Sequence, residues 1–201
     1  MPSVPRTVLT TRGQQTRERI VDTAAALVYA GGAPTTSLGD VLAASGTSKS
    51  QLYHYFDDRD DLLRAVVERQ AERVRERHRE LLTGVETLSD LHGWATATVV
   101  EAEGHGLGGC PLGSLAAQLA DQSDELRADL ARGFAEWQLV LAETVSRLQA
   151  AGEARTDAAA SDLAAALLAA LQGGLLLSRT TGSSHPLRIA LAMAVDHLTP
   201  R

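Results

Sequence analysis

The fold of this chain is decided by the stretch SGTSKSQLYHYF, residues 45–56. Ser48 and Gln51 have the spacing of a capping box, in which each side chain bonds to the backbone N–H of the other residue. This box predicts a short helix over residues 49–55. Gly46 precedes it and can adopt the left-handed backbone conformation of a tight turn. Because another short apolar helix is predicted just before the turn, the stretch indicates a helix-turn-helix.

The two faces of the helix over residues 49–55 differ in chemistry. Leu52 and Phe56 are expected to point into a small core, which leaves the opposite face polar. Side chains on that face can donate hydrogen bonds to base edges or phosphates. They are Lys49, Ser50, Gln51, Tyr53 and His54. We expect this face to bind DNA; the alternative is the solvated face of a three-helix core.

The whole chain of 201 residues is predicted to be all-α. Alanine is frequent, and no run of β-branched or aromatic residues alternates with period two. The first helix is expected over about residues 14–30, capped by Thr11 and Gln14, and the second begins at Thr36 or Ser37. A fourth helix follows Asp57 and Asp60 and ends before Gly84. Further helices are expected at about 88–103, 112–121, 124–151, 158–181 and 186–198.

Composition restricts the class of protein. A single cysteine, Cys110, excludes an internal disulfide and suits a reducing cytoplasm. Residues 1–11 lack the apolar run of a signal peptide. The longest uncharged apolar stretch, residues 163–178, is short for a hydrocarbon core of roughly 30 Å. We therefore expect a cytoplasmic protein with no membrane partner.

The net charge of −6 is unevenly distributed. Residues 1–80 carry 12 basic and 11 acidic side chains, whereas residues 81–201 carry 7 and 14. Lys49, the only lysine, stands at the start of the polar helix. The arginines from Arg64 to Arg79 alternate with four glutamates at helical spacing, and we expect them to form surface ion pairs along one helix rather than to bind DNA.

The motif LYHYF at residues 52–56, with Arg59 and Leu62 after it and SGTSK before it, resembles the TetR family of bacterial one-component transcriptional regulators over residues 14–66. The resemblance implies that Ser37 and Tyr53 contact phosphate and that Arg59 anchors the fourth helix to the DNA backbone. It also implies a DNA-binding set on and before the recognition helix. That set is Ser48, Lys49, Ser50, Gln51, His54 and Tyr55.

The chain departs from the family pattern at three positions. Leu42 and Ser45 stand where the family commonly has alanine, and Thr47 stands where it commonly has valine. The stretch GCPLGSL, residues 109–115, resembles the LmrA/YxaF-like subgroup of the family.

The family likeness implies two domains: a helix-turn-helix DNA-binding domain at residues 1–57, and a ligand-binding and dimerisation domain at residues 58–201. It also implies a homodimer formed by the last two long helices of each subunit. We expect the apolar helix over residues 158–181 to supply the interface. The interface residues expected on it are Leu163, Leu167, Leu171 and Gly174.

The resemblance further implies a ligand cavity in the second domain. Aromatic or isolated polar residues on otherwise apolar helices are the candidates to line it, although each residue of this kind, taken singly, is more often plain core. They are His92, Trp94, Cys110, Leu115, Gln118, Phe134, Trp137, Gln172 and Leu176. Such a cavity would take a small, largely hydrophobic or aromatic molecule.

The sequence thus predicts a ligand-responsive repressor that binds a palindromic operator as a dimer and is released by a small lipophilic effector. The alternative is an all-helical small-molecule binding protein that does not bind DNA. Gly104, Gly106 and Gly109 match a dinucleotide fingerprint in spacing only, because no strand precedes them. No cofactor, metal site or catalytic residue is expected. Cys110 is a redox sensor in one hypothesis and a small buried hydrophobe in the other.

Overall fold

The computed structural model describes residues 10–200 and places nine helices, and no strand, in that part of the chain. Residues 1–9, on which the expectation about a signal peptide largely rests, lie outside the described residues, as does Arg201. The helices are α1 (Thr11–Gly31), α2 (Leu38–Ser45), α3 (Lys49–Tyr55), α4 (Arg59–Leu82), α5 (Leu88–Gly104), α6 (Pro111–Leu119), α7 (Asp124–Ala150), α8 (Ala160–Thr181) and α9 (His185–Asp196).

Side-chain caps fix most helix starts, and two of the predicted caps are wrong by one residue. Thr10 rather than Thr11 caps α1, since its hydroxyl accepts from the Gly13 N–H. Asp58 rather than Asp57 caps α4, since its carboxylate accepts from the Asp61 N–H at 2.8 Å. In both places a similar residue stands next to the cap, so composition alone could not choose between neighbours.

Helix α4 lies at the centre of the fold and packs against α1, α5, α6 and α7. On the far side, α8 packs between α7 and α9, and α5 also lies against α9. The buried apolar side chains form one cluster that extends from Ile20 of α1 to Leu198 after α9. The expected boundary after residue 57 falls in the connection between α3 and α4, and this shared core packs the two expected units together.

The arginines of α4 form ion pairs, but mostly with other helices, so the predicted pairing along α4 is largely wrong. Arg64 bonds Asp129 of α7, and Arg69 and Arg73 share Asp22 of α1. Arg75 pairs with Glu136 of α7, and Arg77 with Glu101 of α5. Among the described residues, the pairs within α4 are Arg59–Asp60, Arg69–Glu72 and Arg77–Glu80. These contacts tie α4 to three neighbours.

Helix α8 is long and apolar enough to cross a membrane by length and composition, and a third of its most apolar window is buried inside the chain. The apolar helix is thus longer than the uncharged stretch of sixteen residues that alone is too short to cross a membrane, and its bounds lie close to the expected 158–181. One side of the helix packs on α7 and α9. The other side is exposed and consists mainly of small and apolar residues, among them Ala166, Ala169, Gly173, Leu176 and Leu177.

Candidate functional site

Helices α2 and α3 are joined by a turn whose geometry is fixed by local hydrogen bonds. Both helices begin with the predicted capping boxes, Ser37 with Asp40 and Ser48 with Gln51. Gly46 ends α2 in the left-handed conformation with φ of 64°, where a side chain would be strained. The predicted helix-turn-helix is therefore present, with α3 seven residues long.

The two residues that flank Gly46 explain two departures from the family pattern. The hydroxyls of Ser45 and Thr47 are both buried and lie 2.7 Å apart, within hydrogen-bond distance. Each polar substitution thus supplies the partner that the other needs, and neither hydroxyl is left unsatisfied in the core.

The exposed face of α3 carries the polar residues that the sequence placed there. Leu52 and Phe56 are buried, as predicted, while Lys49, Ser50 and His54 are exposed. The Tyr53 side chain is 46% exposed, and its ring lies 5.8 Å from the Lys49 Nζ. A cation, a phenol and an imidazole therefore stand together on the solvent side of α3.

Three of the candidate DNA-binding residues form hydrogen bonds within the protein itself, and a fourth packs against its core. The Ser37 hydroxyl donates to Asp40 and accepts from its N–H, and the Ser48 hydroxyl accepts from the Gln51 N–H. The side-chain oxygen of Gln51, Oε1, accepts from the Ser48 N–H at 3.0 Å, which leaves the side-chain NH2 group of Gln51 for another partner. Tyr55 is half-buried against the core, with its ring 4.9 Å from that of His54.

Arg59 has a structural role that the sequence did not indicate. Its guanidinium donates from Nε to the Thr36 carbonyl at 3.2 Å and from Nη2 to the Ala33 carbonyl. These bonds hold the start of α4 against the loop between α1 and α2. The expected role of Arg59, to anchor α4 to a DNA backbone, competes with these internal bonds.

A second bond links the same loop to α6. The Gln118 Oε1 accepts from the buried Ala33 N–H at 2.6 Å, and the Gln118 amide donates to the Ser114 carbonyl at 3.0 Å. Gln118 therefore connects α6 to the segment that leads into α2. This is a contact between the two expected domains, and it explains an isolated glutamine on an apolar helix.

A cavity of about 490 Å³ lies among α4, α5, α7, α8 and the loop between α5 and α6. Two of the predicted pocket residues, Cys110 and Trp137, line it. The sequence missed His78 and Thr98, which also line it. One feature of the sequence could have indicated His78. It lies seven residues after the buried Ala71 and four before the buried Leu82, which is the spacing of the buried side of this charged helix.

His78 forms the centre of an aromatic cluster beside the cavity. The Trp94 indole N–H donates to its Nδ1 at 3.2 Å, and the Trp137 ring lies 4.6 Å from the imidazole. Phe134 stacks on Trp137 at 6.4 Å from the other side. Burial lowers the pKa of His78 to about 4, and the nearby Arg77 adds to the shift. The imidazole is therefore neutral near pH 7.

The other predicted pocket residues are dispersed. Leu115 and Gln118 border a small gap between α1 and α6, and Gln172 lies beside Cys110 and Gly113. His92 and Leu176 were wrong, because both are on the surface. His92 pairs with Asp196 at 3.1 Å, and the Leu176 side chain is 64% exposed.

Cys110 is buried at the start of α6, where its sulfur accepts from the Gly113 N–H at 3.3 Å. Burial raises the pKa of the thiol, although bonds from Gly113, Gln172 and Leu112 oppose that effect. A thiol held protonated is a poor nucleophile, which favours the interpretation as a small buried side chain over that of a redox sensor.

The predicted interface residues of α8 were wrong, because they lie inside the chain. Leu163, Leu167 and Leu171 are buried within a single subunit. Gly174 faces α9, where a Cβ on it would lie 2.8 Å from the Leu187 Cα, so the glycine permits that close approach. On these two helices, the exposed apolar side chains are on the other side of α8 and on α9, where Met193 is 67% exposed and Ile189 is also exposed.

Within residues 10–200, no group of three or more histidine, cysteine or acidic side chains is arranged to hold a metal ion. The loop that carries Gly106 and Gly109 connects two helices and follows no strand, which agrees with its rejection as a dinucleotide fingerprint.

Two family models match the chain. The model for bacterial regulatory proteins of the tetR family matches residues 20–66, which include α2 and α3. The model for the C-terminal domain of LmrA/YxaF-like transcriptional regulators matches residues 85–193.

Individual relatives agree with these matches over most of the chain. An uncharacterized HTH-type transcriptional regulator of Mycobacterium tuberculosis strain H37Rv is 31% identical over 87% of this chain and 89% of its own length. The HTH-type transcriptional repressor DhaR of Mycobacterium sp. strain GP1 is 24% identical over 92% of both chains. A solved structure of a TetR transcriptional regulator from Chloroflexus aurantiacus superposes with a TM-score of 0.79 at 30% identity, over 94% of this chain and 96% of that one.

Proposed function

The chain belongs to the TetR family of transcriptional regulators, and on this premise we propose that it is a cytoplasmic, homodimeric repressor that binds a palindromic operator. In this proposal, a small lipophilic or aromatic effector occupies the cavity between α4, α5, α7 and α8 and releases the protein from DNA. No catalytic activity and no cofactor form part of it.

The observation that carries the DNA-binding role is the exposed polar face of α3. Lys49, Tyr53 and His54 project from one short helix that is positioned by two capping boxes and a buried core. In the proposal, Lys49, Ser50, His54 and the amide of Gln51 contact base edges, while Tyr53 contacts phosphate. Ser37, Ser48 and Arg59 then act mainly by fixing the position of α2, α3 and α4, because their polar groups have partners within the protein.

The exposed apolar side of α8 and α9 supports a homodimer. Ala166, Ala169 and Gly173 let a second helix approach closely, and Leu176 and Met193 would lose their exposure to water in a four-helix interface. Two α3 helices would then contact half-sites about 34 Å apart, one turn of the duplex.

The two bonds to the Ala33 peptide support a route from the cavity to DNA. Gln118 of α6 accepts from the Ala33 N–H, and Arg59 of α4 donates to the Ala33 carbonyl. Both α4 and α6 also contribute residues to the cavity wall. An effector that favours a different arrangement of these helices shifts the α1–α2 loop and so weakens operator binding. Because the two binding equilibria are linked, bound DNA weakens effector binding by the same factor.

Selection from random-sequence duplex DNA tests the proposal, followed by titration of the selected site. The expected site is palindromic. Lys49→Ala and Tyr53→Ala are each expected to weaken binding about tenfold or more, whereas Arg127→Ala, which removes an exposed charge from α7, should not. Affinity should also fall steeply with salt because phosphate contacts release counterions. If no sequence is enriched, the alternative of a small-molecule binding protein without DNA-binding activity replaces this proposal.

A further inference from the structure

A buried indole N–H beside the cavity has no hydrogen-bond partner among the described residues. Trp137 lines the cavity and is only 1% exposed, and its Nε1 makes no hydrogen bond to any of the described residues. A buried donor without an acceptor costs about 1–3 kcal/mol. The other tryptophan differs, since the Trp94 N–H donates to His78. The unsatisfied donor at Trp137 is therefore a feature to be explained.

His78 supplies a second donor next to the first. Its Nδ1 accepts from Trp94, so the neutral imidazole carries its proton on Nε2. His78 lines the same cavity as Trp137, with ring centroids 4.6 Å apart. Two N–H groups thus belong to adjacent rings that both line the cavity.

The cavity wall offers no unpaired negative charge to a ligand. Glu101 is the one carboxylate among the described lining residues, and the Arg77 Nε lies 3.0 Å from both of its oxygens. Arg73, a further cation of the wall, pairs with Asp22 on α1. A positively charged ligand would therefore meet arginines and N–H groups without a free counter-ion, and its desolvation would be uncompensated.

We propose that the cavity selects uncharged ligands that present an acceptor oxygen, such as an aromatic ketone, to the N–H groups of Trp137 and His78, and that it excludes lipophilic cations. This inference rests on the proposed function, in which the cavity is the effector site, and it adds the chemical class of the effector. The apolar walls bind the ring system, while the oxygen satisfies the donors that the fold leaves unpaired.

Calorimetric titration of the full-length protein without DNA tests this inference with three probes that share a naphthalene ring. β-Acetylnaphthalene carries an acceptor oxygen, β-isopropenylnaphthalene replaces that oxygen by carbon, and β-naphthylmethylamine is a cation at pH 7. The ketone is expected to bind about tenfold more tightly than the alkene, the effect of one hydrogen bond to a buried donor. The amine is expected to bind more weakly than both. Equal affinities for ketone and alkene, tighter binding of the amine, or no binding of any probe up to its solubility would overturn the inference.

Trp137→Phe assigns the effect to the indole, because it removes the N–H and keeps an aromatic ring. The variant should reduce the preference for the ketone to about threefold or less, while Gln122→Leu, which removes a polar side chain outside the cavity wall, should retain it. Loss of the preference in both variants, or in neither, would overturn the assignment to Trp137. The comparison of probes in the unmodified protein stands even if a variant folds poorly. Because no DNA is present, failure here is distinct from failure to enrich an operator.

Discussion

The hydroxyls of Ser45 and Thr47 lie 2.7 Å apart, buried on either side of the turn between α2 and α3. Ser45→Ala or Thr47→Val alone should destabilise the protein by about 1–2 kcal/mol, because each leaves one buried hydroxyl without its partner. The double variant should be close to the unmodified protein in stability, since both polar groups are then gone. Urea unfolding of all four proteins measures this cycle. Additive losses would show that the hydroxyls do not depend on each other.

Gln51 uses its carbonyl oxygen to cap α3 and leaves its amide NH2 group free. Gln51→Glu preserves the capping acceptor, removes the donor and adds a negative charge. The unfolding free energy should change by less than about 0.5 kcal/mol, while operator affinity falls about tenfold or more. Gln122→Glu, in the exposed turn between α6 and α7, adds the same charge outside α3 and serves as the control. Equal losses of affinity in the two variants would contradict a direct contact.

Gln118 joins α6 to the Ala33 peptide, so its removal should weaken the response to an effector. In Gln118→Leu, the buried Ala33 N–H loses its acceptor, and we expect a loss of about 1–3 kcal/mol in stability. The ratio of operator affinities with and without a bound probe should move towards one. Gln122→Leu is a matched control, because that side chain lies in the turn after α6 and donates to the Gln118 backbone carbonyl rather than accepting from the α1–α2 loop. A full response in Gln118→Leu would exclude this route.

His78 should make stability depend on pH. The pKa of His78 in the folded protein is about 4, against an ordinary value of 6.5, because burial disfavours the charged ring. The unfolded chain therefore binds this proton more readily, and stability should fall as the pH drops from 6.5 towards 4, by up to about 1.4 kcal/mol per pH unit.

Replacement of the imidazole should remove that contribution. His78→Asn is expected to be less stable at pH 7 but to lose less stability between pH 6.5 and 4.5, as measured by urea unfolding at each pH. His185→Asn replaces an exposed histidine and should retain the slope of the unmodified protein. An unchanged slope in His78→Asn would mean that other groups determine the acid sensitivity.

The exposed side of α8 and α9 should control the oligomeric state. Leu176→Asp places a charge in the middle of the proposed interface and should yield monomers at micromolar concentration, as judged by light scattering after gel filtration. Leu139→Asp changes another exposed leucine, on α7, and should leave the dimer intact. If Leu176→Asp remains dimeric, the interface lies elsewhere.

The local features of this fold could be predicted because they depend on residues close together in the chain. The capping boxes at Ser37 and Ser48 predicted where α2 and α3 begin. The helical spacing of apolar residues predicted α7 and α8, with small errors at their ends. The polar side of α3 could be predicted in the same way, because Leu52 and Phe56 lie four residues apart and therefore determine which side of the helix is buried.

Features that depend on how helices pack could not be predicted in the same way. On α8, nearly every side is apolar, so the leucines that fill the subunit core could not be distinguished from those that face outwards. Leu167 and Leu176 were consequently assigned to the wrong surfaces. The partners of Arg59 and Gln118 lie on a loop distant in sequence, and no local pattern indicates such bonds.

The cluster around His78 has an optical consequence. The chain has only two tryptophans, and both contact that one imidazole. All of the indole emission of this protein therefore originates within one aromatic cluster at the cavity wall. Cavity occupancy should change its intensity or wavelength with no label attached, and protonation of the imidazole on acidification should quench it before the backbone unfolds.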